Sequence, residues 1–142
     1  LQPLCALAQQ RSAQTGSPEA ENRALFLALG IVQRGSAIEP ILGVGAGIPE
    51  RPSSRLGLTL AGRGDLASHF ALSAAITAAA NSTLADAVGV FKEMDDSRGG
   101  SGFSFPDLLA DRSGVTLAEE AMGQRAVAVQ LAVGNCYPIW TV

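Results

Sequence analysis

The side chains best suited to chemistry in this sequence are one histidine and several carboxylates at helical spacing. His69 is the only histidine among the 142 residues, and Ser73 follows it by about one helical turn. Asp107 and Asp111 are spaced in the same way, and Glu93 stands between the two pairs. A histidine with two or three carboxylates can form a buried hydrogen-bonded network, or it can hold a divalent cation.

A third interpretation of these residues is hydrolysis, with His69 as general base and Ser73 or an aspartate assisting it. The sequence contains no GxSxG elbow, HExxH or CxxC motif to accompany such chemistry. We therefore predict a non-enzymatic polar cluster, with a cation or small-ligand site and a hydrolase as alternatives and no assigned catalytic residue. The predicted cluster comprises His69, Ser73, Lys92, Glu93, Asp96, Asp107 and Asp111. The candidate metal ligands among them are His69, Glu93, Asp107 and Asp111.

Four amphipathic segments must position these side chains. Their apolar periodicity predicts helices at residues 18–34, 66–80, 83–97 and 105–122. A long Gly/Pro-rich connection follows the first helix. Residues 123–142 form a tail in which QRAVAVQLAVGN suits either a short helix or a strand. The sequence therefore predicts an all-α single domain, a small bundle of about four main helices.

The predicted helices place the polar residues on inward faces. On the second predicted helix, His69 and Ser73 share the spacing of the apolar residues, so they face the core. On the fourth, Asp107 and Asp111 share a face with the small residues Gly114, Ala118 and Ala121. Because helices usually touch along small-residue faces, the two aspartates need partners for their partly desolvated charges.

The third predicted helix contributes Glu93, which lies one turn after Gly89, where another helix can come close. Lys92 and Asp96 are four residues apart on the same helix and can form an ion pair. We therefore expect Glu93 within the cluster and the Lys92–Asp96 pair at its edge.

The glycine-rich stretch DSRGGSGFSFPDLLAD, residues 96–111, predicts a hinge between two helices. It has no lysine, and the helix after it opens with Asp107, whose charge would repel a phosphate. Ser104 is a favourable N-cap, and Pro106 suits the first turn of a helix. The hinge would therefore direct the fourth helix so that its aspartates meet His69.

Composition excludes some functions and leaves one partner open. The net charge is −3 and no basic patch stands out, so nucleic acid is not a predicted partner. The longest weakly polar run, residues 66–80, is shorter than the roughly 20 apolar residues that span a bilayer. The tail holds the only tyrosine and the only tryptophan, Tyr137 and Trp140, and could dock onto an unknown protein partner.

Three sequence elements are shared with a group of small bacterial proteins. They are His-Phe followed by Ser, then Gly-x-x-Lys-Glu-x-x-Asp, then a glycine turn with Ser-x-x-Asp-Leu-x-Ala-Asp-x-x-Gly. With these elements, residues 56–121, about half the chain, resemble the YfiM-type predicted periplasmic lipoproteins and, more distantly, the VanZ-like proteins. The resemblance implies a helical protein of the bacterial cell envelope, periplasmic or extracytoplasmic, in a group mostly without an assigned activity.

The two cysteines, Cys5 and Cys136, stand near opposite ends of the sequence. They could be unrelated thiols, because sequence does not show whether two residues are close in space. The even count and the envelope-type resemblance together predict a Cys5–Cys136 disulfide, as in an oxidising compartment. The LQPLC stretch lacks the small residues of a lipid-attachment site, which leaves anchoring open.

Overall fold

The computed structural model describes residues 2–38, 57–80, 104–135 and 140–141, and this part of the chain is mainly helical. It contains five α-helices: α1 (Gln2–Thr15), α2 (Pro18–Arg34), α3 (Gly64–Ala79), α4 (Phe105–Ala121) and α5 (Ala126–Asn135). A 3-10 turn, Gly35–Ile38, follows α2. Strand β1 (Thr59–Leu60) pairs antiparallel with β2 (Trp140–Thr141) over two residues. The prediction of an all-α fold is confirmed.

Three predicted helices agree closely with α2, α3 and α4. The helix predicted at 18–34 has the observed bounds of α2, which begins with a proline and ends before Gly35 at a φ of 58°. The helix predicted at 66–80 is α3, shifted by one to two residues, and that predicted at 105–122 is α4, one residue longer than observed. The helix predicted at 83–97 lies outside the described residues.

The predicted number of helices requires a correction at both ends of the chain. The sequence analysis missed α1, because QPLCALAQQRSAQT has no pronounced apolar stripe. Its helix is supported instead by packing, in which Cys5 and Ala8 are buried against the other helices. In the tail, the stretch that suited a helix or a strand forms α5. The end of the tail returns to the domain, since Trp140 pairs with Leu60.

Helix α3 is the centre of the bundle and packs against both α2 and α4. It is rich in alanine, and five alanines are fully buried: Ala67, Ala71, Ala74, Ala75 and Ala78. Their small side chains allow neighbouring backbones to approach. The closest crossing is at Gly114 of α4, where a Cβ atom would lie only 2.3 Å from the carbonyl oxygen of Phe70. This crossing sets the N-terminal halves of α3 and α4 against each other.

The junction between α4 and α5 is attached to α2 through one buried amide. The side chain of Asn22 donates hydrogen bonds to the carbonyl oxygens of Ala121, at 2.7 Å, and of Ala126, at 3.2 Å. The Ala121 carbonyl lies at the end of α4, where the last carbonyls of a helix have no partner within the helix. No helix in the described ranges is both long and apolar enough to cross a membrane.

Candidate functional site

His69 of α3 lies between two carboxylates of α4. Its Nε2 atom is 3.3 Å from Oδ2 of Asp107, and its Nδ1 atom is 3.2 Å from Oδ2 of Asp111. The three side chains are only 10–14% exposed. The arrangement follows from helical geometry, because aspartates four residues apart stand about 6 Å apart along the helix and can face opposite edges of one ring.

Asp111 has a second partner on α3. Ser73, one turn after His69, donates its hydroxyl proton to Oδ1 of Asp111 at 2.7 Å. Ser73 and Asp111 are both buried. Burying a carboxylate is costly unless it is paired and hydrogen-bonded, and Asp111 meets both conditions. The small-residue face of α4 therefore does carry aspartates that are partnered from α3.

The hydrogen-bonding capacity of the ring limits its protonation state. An ionised carboxylate can only accept hydrogen bonds, whereas a neutral imidazole has one N–H and one lone pair. Both His69–aspartate contacts can be hydrogen bonds only when the ring carries a proton on each nitrogen. The geometry therefore suits an imidazolium ion held between two carboxylates.

Arg63 extends the cluster toward solvent. Its guanidinium pairs with Asp65 and reaches Oδ1 of Asp107 at 3.5 Å. The hydrogen bond from Arg63 lowers the pKa of Asp65 to about 2. The sequence analysis did not assign Arg63 to the cluster, although its position at the N-terminal end of the His69 helix was a usable signal. We use "His69 cluster" for Arg63, His69, Ser73, Asp107 and Asp111.

The structure brings four of the predicted cluster residues together: His69, Ser73, Asp107 and Asp111. The other three, Lys92, Glu93 and Asp96, lie outside the described residues, as does the first half of the predicted hinge, residues 96–103. In the second half of that stretch, the Ser104 side chain accepts a hydrogen bond from the backbone N–H of Asp107 at 3.3 Å. This cap fixes the first turn of α4 beside His69.

The arrangement does not suit a metal centre. Within the residues that the structure describes, no group of three or more His, Cys, Asp or Glu side chains is placed to hold a metal ion. Asp107 and Asp111 contact opposite ring nitrogens of His69, so the three side chains do not converge on one point at the 2.0–2.6 Å typical of metal–ligand bonds. His69, Asp107 and Asp111 therefore do not form the predicted metal site. The fourth predicted ligand, Glu93, lies outside the described residues.

The order of the polar groups also argues against a serine hydrolase. The Ser73 hydroxyl donates to Asp111, so the carboxylate stands between the serine and the imidazole. A serine nucleophile needs the base itself as its hydrogen-bond partner. Ser73 is also only 3% exposed, which leaves little room for a substrate to approach.

The predicted Cys5–Cys136 disulfide is not supported by the described part of the chain. Cys5 is a free, buried thiol, and Cys136 lies outside the described residues. Cys5 lines an apolar cavity to which all five α-helices contribute, where it packs as a small apolar group. Burial raises the pKa of this thiol. Cysteine count alone could not show this orientation.

Comparison of the chain with protein-family models, with curated proteins and with solved structures gives no match. The resemblance of residues 56–121 to envelope proteins thus rests on the sequence elements alone. The geometry of the His69 cluster is the remaining basis for a functional interpretation.

Proposed function

We propose that the chain is a non-enzymatic helical domain of the bacterial cell envelope, in which the His69 cluster fixes the register of α3 against α4. The observation that carries the structural role is the placement of one imidazole between two carboxylates of the facing helix. The envelope location is supported by the sequence elements shared with the YfiM-type and VanZ-like proteins.

The register argument depends on both aspartates acting on one ring. A shift of α4 by one turn is about 5.4 Å, which would remove at least one of the two carboxylates from His69. A rotation of α4 would also separate Asp111 from Ser73. Apolar contacts between alanine-rich helices have little directional preference, whereas this polar arrangement is satisfied in one alignment. Fixing register is a documented role of buried polar groups.

The test is the free energy of unfolding of His69→Ala, measured by urea denaturation and circular dichroism. The change leaves Asp107 and Asp111 without their shared partner, and we expect a loss of about 1–3 kcal/mol. Asp111→Asn should fall in the same range because Asp111 also accepts from Ser73.

The matched control for these variants is Ser68→Ala, next to His69. The Ser68 hydroxyl is exposed and bonds only within its own helix, to the carbonyl oxygen of Gly64. Its loss should change the free energy by less than about 0.5 kcal/mol. If His69→Ala were as mild as this control, the cluster would not fix the helices.

The alternatives give different results in parallel assays. A cation site would raise the melting temperature when Mg²⁺, Mn²⁺ or Zn²⁺ is added in place of a chelator, and His69→Ala would abolish the rise. A hydrolase would turn over simple esters, with activity lost in both His69→Ala and Ser73→Ala. We expect neither the cation effect nor the esterase activity.

Fractionation of the source bacterium tests the proposed location in the cell envelope, since recovery in the cytoplasmic fraction alone would contradict it.

We also propose that the C-terminal part, residues 123–142, contacts a protein partner. The support is the exposed apolar face of α5, on which Val127 and Leu131 are both more than half exposed. This proposal is independent of the His69 cluster, which lies on α3 and α4.

A further inference from the structure

The His69 ring has a carboxylate at each of its two nitrogens, and only one protonation state of the ring suits both. Its Nε2 atom faces Asp107 at 3.3 Å, and its Nδ1 atom faces Asp111 at 3.2 Å. An imidazolium donates from both nitrogens, whereas a neutral ring donates from one and turns a lone pair toward the other carboxylate. Loss of one proton therefore replaces one of the two hydrogen bonds with a repulsive contact.

The balance of charge in the His69 cluster favours the protonated ring. Burial opposes a positive charge on the ring, which is only 11% exposed. A neutral ring, however, would leave two carboxylates of α4 close together with no cation between them, and like charges in a partly buried site repel each other. We therefore expect His69 to keep both protons to a higher pH than a histidine of the unfolded chain, which loses one near pH 6.5.

The surroundings of the two carboxylates indicate which of them a neutral ring would release. Asp107 has a cation nearby, because Arg63 reaches its Oδ1 atom at 3.5 Å. Asp111 is buried and accepts a hydrogen bond from the Ser73 hydroxyl at 2.7 Å. A neutral ring should therefore keep its single N–H on Asp111 and release Asp107 toward Arg63.

Other charged groups on the elements that pack with α3 stand farther from the ring. Asp65, in the first turn of α3, is paired with Arg63. On α2, Arg23 donates to a backbone carbonyl in the last turn of α3, which places Arg34, at the other end of α2, toward the His69 end. Arg112 follows Asp111 on α4 and is exposed. These arginines disfavour a charge on the ring, but the two carboxylates in direct contact outweigh them because Coulomb energy falls with distance.

We propose that His69 is a pH-sensitive switch between α3 and α4: the doubly protonated ring binds both aspartates, and loss of one proton releases Asp107 and with it the first turn of α4. The proposal rests on the register role proposed above and adds its regulation. Asp111 and Ser73 hold the next turn of α4 in both states of the ring. A rise in pH therefore loosens the start of α4 while the centre of the helix stays in place.

The folded chain holds the second ring proton more tightly than the unfolded chain, and this sets the sign of the pH dependence. The stabilisation is fully present below about pH 6.5, where the ring is protonated in both states, and is lost as the pH rises through the midpoint of the folded chain. We expect the carboxylates to raise that midpoint by about one pH unit, because burial offsets part of their effect. The equilibrium constant for unfolding should then increase about tenfold across the transition.

Two measurements on the full chain between about pH 5.5 and 8.5 test the switch. NMR titration of the single histidine gives its midpoint, which we expect about one unit above 6.5. Urea denaturation followed by circular dichroism gives the equilibrium constant for unfolding at each pH. This constant should increase about tenfold relative to that of His69→Gln, which has the same thiols and N-terminal amine but no ring to titrate.

Asp107→Asn tests which carboxylate is released. An amide at this position can donate to the lone pair of a neutral ring, so the variant should lower the midpoint and flatten the pH profile. Glu119→Gln is the matched control, because it removes the same single charge from an exposed position farther along α4 and should leave the midpoint unchanged.

Three results would overturn the proposal: a midpoint at or below about 6.5, the same pH profile in the unchanged chain and His69→Gln, or an unchanged midpoint in Asp107→Asn. If His69→Gln is less stable than the unchanged chain by one factor at every pH, the register role stands and only the switch fails. If the two chains are equally stable at every pH, both proposals fail.

Discussion

Replacing Gly114 by alanine would place a methyl group where α4 crosses α3. The new Cβ atom would lie 2.3 Å from the carbonyl oxygen of Phe70, 3.1 Å from its carbonyl carbon and 3.2 Å from the backbone nitrogen of Ala74. All three contacted atoms belong to the backbone, so no change of side-chain rotamer can relieve the clash. The helices must therefore move apart by about 1 Å to restore ordinary contact distances.

Two energetic effects of opposite sign decide the outcome. Alanine is favoured over glycine within a helix by about 1 kcal/mol, so helix propensity alone predicts stabilisation. Overpacking of a well-packed interface typically costs about 1–3 kcal/mol. Because the clash is with backbone, we expect a cost near the upper end and a net loss of about 2 kcal/mol. A separation of 1 Å would also weaken the contact between His69 and Asp111, which stands one turn before Gly114.

Urea denaturation followed by circular dichroism measures the free energy of unfolding of Gly114→Ala. Ser113→Ala is the control, because Ser113 is the adjacent residue of the same helix and is exposed. Its hydroxyl bonds only to the carbonyl oxygen of Leu109, so its loss should change the free energy by less than about 0.5 kcal/mol. The comparison shows whether the loss is specific to the crossing or common to any change to alanine in this turn of α4.

A second crossing provides a contrasting case. At Gly30 of α2, a Cβ atom would lie 2.4 Å from Cβ of Ala75 and 2.8 Å from Cδ1 of Ile38, which are side-chain atoms. Gly30→Ala should therefore destabilise the domain, and Ala75→Gly should recover part of the loss. No side-chain change can compensate Gly114→Ala in this way. If Gly114→Ala were as stable as the unchanged chain, or more stable by the 1 kcal/mol of helix propensity, the inferred crossing would be wrong.

Two further predictions follow from single groups. Arg63→Gln should return the pKa of Asp65 from about 2 toward its ordinary 3.8, as followed by NMR titration, and an unchanged value would contradict the pairing. The pKa of Asp65 is lower in the folded chain than in the unfolded chain, so the Arg63–Asp65 pair stabilises the fold at pH values above the unfolded pKa. This stabilisation is lost as the pH falls through about 2. It is small because both side chains are exposed to solvent. In a Cys136→Ser background, Cys5 should react slowly with a thiol reagent while the domain is folded and rapidly in denaturant, since it is buried and its pKa is raised. Rapid labelling of the folded chain would refute its burial.

The sequence was most informative where local signals decide the structure. Helix α2 has a proline at its start and a glycine after its end, and α4 has Ser104 as its cap, so both were placed within a residue. Helix α1 has no comparable apolar stripe. It depends on packing against α2 and on contacts with residues more than a hundred positions away, such as the bond from Gln9 to Gln130, and such tertiary contacts leave no apolar stripe in the sequence of the helix.

For the site, too, the spacing of residues in the sequence predicted part of the arrangement, and the rest depended on how the helices pack. One-turn spacing placed His69 and Ser73 on one helical face and Asp107 and Asp111 on another, and these residues meet. Spacing could not determine which ring nitrogen meets which carboxylate, nor that Ser73 would bond to Asp111 instead of His69. Those details depend on how two alanine-rich helices cross, which is set by packing in three dimensions.

The crossing at Gly114 and the His69 cluster both determine how α4 packs against α3, but they act on different aspects of the packing. Gly114 controls how closely α3 and α4 approach, because its missing side chain allows contact with the backbone of Phe70, the residue after His69. The cluster controls alignment, because only one register and rotation of α4 bring two carboxylates to one imidazole. Alignment without close approach would leave the polar groups too far apart. Close approach without alignment would bury unpaired carboxylates, which costs more than the roughly 1–3 kcal/mol of a neutral unsatisfied group. The effects of changing Gly114 and His69 should therefore not add, because each change removes part of what the other group contributes.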